Sequence, residues 1–144
     1  MKLLVSNCAD GFGEKIEHVL ATQCPHVEVK IVNSLSELEG SVRALNPGDV
    51  LIGQICDMKA GRILFHDEAT SFINTLAEDW LPTGANATLF DTLRFASYPD
   101  VQEAIVATEG RVILVESPFW AKDLPKIVGH WQARSEFNGP QPGS

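Results

Sequence analysis

Five short apolar runs recur along the chain, at residues 2–7, 27–32, 49–55, 87–91 and 111–116, with segments of helical periodicity between them. Runs such as Val112-Ile113-Leu114-Val115 are apolar at successive positions, as strands buried on both faces are. Helical spacing appears in Phe12, Ile16, Val19 and Leu20, in Leu35, Leu38, Val42 and Leu45, and in Val101, Ile105 and Val106. Crossovers between parallel strands are right-handed and return each helix to the sheet, so five such units with short connections leave few topologies. The pattern predicts one doubly wound α/β domain, a five-stranded parallel sheet with helices on both faces.

Local signals place several boundaries. Ser34-Leu35-Ser36-Glu37 has the spacing of a capping box and starts a helix after the second strand. Asn46-Pro47-Gly48 ends that helix, because proline disfavours a helical residue before it and glycine tolerates the turn. Ser97-Tyr98-Pro99-Asp100 starts the next-to-last helix in a similar way. Pro125 belongs in the first turn of the last helix, which makes Asp123 its expected N-cap and residue 134 its approximate end. Residues 80–87 read as a longer loop before the fourth strand. The domain is therefore expected over residues 1–134, with residues 135–144, Gly- and Pro-rich and polar, as a flexible tail or linker.

At 144 residues and 44% hydrophobic the chain suffices for one core. No window reaches the roughly 18 apolar residues of a membrane span, and the start lacks the apolar stretch of a signal peptide. A cytoplasmic location is expected. Cys8, Cys24 and Cys56 are odd in number and unrelated in spacing, which argues for reduced thiols over a disulfide framework or a zinc site. His18, His26, His66 and His130 have no chelating spacing. A net charge of -8, with 11 scattered Lys and Arg residues, disfavours direct nucleic-acid binding and leaves a protein partner as the expectation.

Taken in order, residues 2–134 resemble the receiver domain of bacterial two-component response regulators. Receivers begin K-I-L-V-V and close the first strand with two acids that hold Mg²⁺; here K-L-L-V-S is followed by Asn7 and Cys8. Their third strand ends in the aspartate that is phosphorylated; here P-G-D-V-L-I-G-Q puts Gln54 at that point. The fourth strand of the family ends in Thr or Ser, kept as Thr92, and the fifth in Lys-Pro-aromatic, which here is Ser117-Pro118-Phe119. The downstream P-F-x-x-x-D-L-x-x-x-V, from Pro118 to Val128, also follows the family's last loop and helix. The aromatic that family members use as a rotameric switch is Leu114 here.

The resemblance implies a flavodoxin-like strand order of 2-1-3-4-5 and a degenerate phosphate pocket at Asn7, Cys8, Gln54, Thr92 and Ser117. The losses are chemically coherent. An acyl phosphate needs a carboxylate nucleophile, a metal held by carboxylates and a cation to balance phosphoryl charge, and without the nucleophile the other parts have no task. The expected function is then that of a pseudo-receiver, not an enzyme, with no cofactor and no metal, acting in signal transduction or transcriptional regulation through a protein partner or a homodimer. The family's usual interaction face, made by the fourth and fifth helices and the fifth strand, would include Tyr98, Gln102, Thr108, Arg111, Lys122 and Lys126.

Plainer readings stand beside these. Gln54 and Ser117 are also what a strand end facing water carries, Thr92 is a common β-former, and Asp10 and Asp57 read as solvated loop acids. Trp80, Trp120 and Trp131 read as core or helix-packing residues. A different class of function rests on Cys8-Ala9-Asp10-Gly11-Phe12-Gly13, where a thiolate before a glycine-rich helix start could handle phosphate as a phosphatase or phosphocarrier. Asp10 and Glu14 oppose that, since their charge disfavours both thiolate and phosphate. A small-ligand-binding α/β module is a third reading, with no residues of its own.

Overall fold

The computed structural model describes residues 1–7, 12–54, 66–91, 94–116 and 120–138. Five parallel strands, β1 (Lys2–Ser6), β2 (Glu28–Val32), β3 (Val50–Gln54), β4 (Asn86–Phe90) and β5 (Val112–Val115), form one sheet in the order β2-β1-β3-β4-β5. Between and after them run α1 (Phe12–Gln23), α2 (Leu35–Arg43), α3 (His66–Thr75), α4 (Pro99–Ala107) and α5 (Trp120–Asn138). The doubly wound class and the 2-1-3-4-5 order are as the sequence led us to expect. α3 is the element that sequence periodicity did not single out; it continues through a π-helical turn, Leu76–Trp80, closed by the Leu81 amide donating to the Leu76 carbonyl at 2.8 Å.

Strand residues alternate between two apolar layers, as the two-residue period of a strand requires. Leu4, Leu51, Ala87, Leu89 and Val112 pack with Leu38 and Val42 of α2, Ala69 and Ile73 of α3, and Val101 and Ala104 of α4. Leu3, Val5, Val50, Ile52 and Phe90 pack on the other face with Ile16 and Leu20 of α1 and Leu124, Val128 and Trp131 of α5. Trp131 is 1% exposed, and its indole N–H donates to the Thr88 hydroxyl at 2.7 Å, so α5 is pinned to β4 by a polar contact as well as by area. Trp80 and Trp131 are core residues, as read from the sequence.

The capping signals are realised with one change. The Ser34 hydroxyl accepts from the Glu37 amide at 3.3 Å, while the Glu37 carboxylate reaches back to the Asn33 amide, one residue before the N-cap. Tyr98 is the N-cap of α4 with Pro99 in its first turn. The turn after α2 stacks on the loop before β4, with the Gly48 amide donating to the Gly84 carbonyl. Gly84 has φ +89°, and a Cβ there would lie 2.9 Å from Pro47, so this approach excludes other residues. α5 starts at Trp120 and carries Pro125 inside it, three residues earlier than the Asp123 N-cap expected from sequence, and continues to Asn138 beyond the expected end at residue 134. Among the described residues no helix is long and apolar enough to cross a membrane.

Gly40 in α2 and Gly129 in α5 are exposed, and nothing lies within 4 Å of where their Cβ atoms would be. Glycine in a helix interior costs roughly 0.5–1 kcal/mol relative to alanine. Gly40→Ala and Gly129→Ala are each expected to raise stability by about that amount, measured as a higher urea midpoint at unchanged slope.

Candidate functional site

In open α/β sheets the crevice beyond the carboxyl ends of the strands, where the strand order reverses, is where ligands bind. With the order 2-1-3-4-5 the reversal falls between β1 and β3. Val5 pairs with Ile52, so extending the register by two places sets Asn7, just past β1, level with Gln54 at the end of β3. The structure thus brings together two of the sequence-derived pocket positions, and both carry carboxamides. Cys8, Thr92 and Ser117, with Asp10 and Asp57, lie outside the described residues.

Asn7 is occupied by local structure. Its side-chain oxygen accepts from the Gly13 amide at 3.0 Å, which satisfies one of the orphan donors of the first turn of α1. Its side-chain nitrogen donates to the Asn33 side-chain oxygen at 2.9 Å and looks toward Glu14 at 3.4 Å. Asn7 therefore ties the start of α1 to the ends of β1 and β2. Gly13 permits this closeness, since a Cβ there would meet Ile31 at 3.0 Å and Asn7 at 3.1 Å. Helix-to-strand packing accounts for this glycine, and the Gly13 amide that a bound phosphate would use is already taken. With Glu14 in the first turn of α1, the electrostatics of this helix start disfavour anions.

Gln54 is half-buried at the end of β3. A carboxamide there supplies no acyl nucleophile, and Asn7 beside it supplies no anionic oxygen for a hard cation.

Beyond β4 lies a residue that sequence reasoning did not weigh as part of the site. Asp91 is 1% exposed, and its two carboxylate oxygens accept from the Phe95 and Ala96 amides at 2.7 and 2.8 Å. These are charge-assisted bonds of the strong kind. They fold the β4–α4 connection back onto the strand end and seat the Phe95 ring in the core, at 6% exposed. Arg94 adopts a left-handed conformation with φ 59° and pairs with Glu116 at 2.6 Å, joining this connection to the end of β5. Gln102 of α4 donates to the Ala96 carbonyl at 2.8 Å. The signal that could have marked Asp91 is an acid directly after the strand run Ala87-Thr88-Leu89-Phe90, with the backbone amide donors of a local turn in reach.

The residues expected on the interaction face divide into two groups. Tyr98 and Gln102 lie on the surface around α4, and Lys122 and Lys126 on the exposed side of α5. Thr108 lies in the interior at 5% exposed, where its hydroxyl donates to the Ile105 carbonyl and accepts from the Val112 amide. Arg111 is half-buried, and its guanidinium donates to the carbonyls of Ala77, Leu81 and Pro82 at 3.0, 2.8 and 2.9 Å. These two build the joint between α4, β5 and the end of α3 through bonds within the chain. No protein-family model matches the chain, and no curated protein is similar to it in sequence.

Proposed function

We propose that the domain is a non-phosphorylatable pseudo-receiver that acts in signal transduction or transcriptional regulation through protein contacts, including pairing with a second copy. The observation that carries this reading is the pair of carboxamides, Asn7 and Gln54, level with one another at the strand-order reversal of a 2-1-3-4-5 parallel sheet. A receiver at work needs carboxylates at those points. Here one amide bonds the first turn of α1 and the other ends β3, which supports a pocket without phosphoryl chemistry. The ties that Asp91, Arg94 and Gln102 place on the β4–α4 connection favour a single resting position for α4.

Treatment with acetyl phosphate and Mg²⁺ is expected to leave the intact mass unchanged, for the unaltered chain and for Gln54→Asp alike. Restoring one member of a set that acts as a unit restores little. A hydroxylamine-labile adduct of one phosphoryl group on the unaltered chain would overturn the reading.

The contact surface we assign to this function is the one flanking β5. The outer side of α4 carries Tyr98, Glu103 and Val106, the last 77% exposed, and the outer side of α5 carries Lys122 and Lys126. Acid and apolar groups on one helix and cations on the other are complementary between two copies related by a two-fold axis. Lys126→Glu is expected to weaken self-association about tenfold at low salt while circular dichroism and melting stay unchanged. Sedimentation measures this, and association that is undiminished in Lys126→Glu would sink the assignment of this face.

A further inference from the structure

We draw no further inference here: the strongest candidate, the uncharged outer edge of β5 with Ile113, Leu114 and Val115 half-exposed, carries nothing, because Arg111 and Glu116 at its two ends are already engaged within the chain and nothing in the structure shows what covers it.

Discussion

Asp91→Ala is expected to lower the stability of the domain by about 3 kcal/mol, from two lost charge-assisted bonds that leave one buried and one half-buried amide without acceptors. For a chain of this size that corresponds to a fall in melting temperature of roughly 6–12 °C. The carboxylate is 1% exposed and bonds the Phe95 and Ala96 amides, so its removal frees the β4–α4 connection and weakens the seat of Phe95 in the core. Asp91→Asn keeps one acceptor oxygen and turns the other into a donor facing an amide, so it should fall between the two, near 1–2 kcal/mol. Hydrogen exchange reads the mechanism directly: the Phe95 and Ala96 amides should lose protection well before the amides of β1 and β3. If both variants melt with the unaltered protein and those amides stay protected, Asp91 does not hold the loop.

The inner strands β1, β3 and β4 were legible because they are buried on both faces, whereas the edge strands β2 and β5 are buried only in part and were marked by their short β-branched runs. Boundaries agree to within a residue for most of them; Asp49, expected as a strand residue, instead accepts from the amides of Lys2 and Asn46 ahead of β3. α3 was not singled out although Ala69, Ile73, Leu76 and Trp80 recur at spacings of four, three and four, because polar residues before Ala69 dilute the stripe. The end of α5 was drawn short, since Ser, Glu and Asn near the carboxyl terminus look like tail by composition and extend a helix equally well when it is already propagating.

The candidate site was legible only in part, and for a different reason. Asn7 and Gln54 were located as pocket positions by the resemblance to receivers, which sets both at strand ends, and the β1–β3 register puts those ends level. What Asn7 does could not be read, since its partners Gly13, Glu14 and Asn33 meet only when α1 and β2 have returned to β1. Thr108 and Arg111 belong to the expected contact face only through the resemblance to receivers. Their hydrogen-bond partners lie within the chain and are not legible locally: Thr108 closes a tight turn between α4 and β5, and Arg111 bonds carbonyls about thirty residues earlier in the chain.

That placement changes what a charge reversal at Arg111 is expected to do. Helix ends leave carbonyls without intrahelical donors, and the π-helical turn at the end of α3 is followed by two more, at Leu81 and Pro82. The Arg111 guanidinium bonds three of these oxygens at once and places a positive charge at the negative end of the helix, where a cation is favoured. Arg111→Glu removes the three bonds and sets a carboxylate against the same carbonyls. The expected cost is about 4 kcal/mol, a fall in melting temperature of roughly 8–16 °C, with Arg111→Lys near 2 kcal/mol because an ammonium cannot reproduce the fork. Loss of self-association in Arg111→Glu would then follow from a loosened α3–β5 joint, whereas the same loss in Lys126→Glu at full stability belongs to the surface. Melting both variants beside sedimentation separates the two. If Arg111→Glu melts with the unaltered protein, the three carbonyl bonds contribute nothing to stability, and Arg111 returns to being a candidate for the contact face.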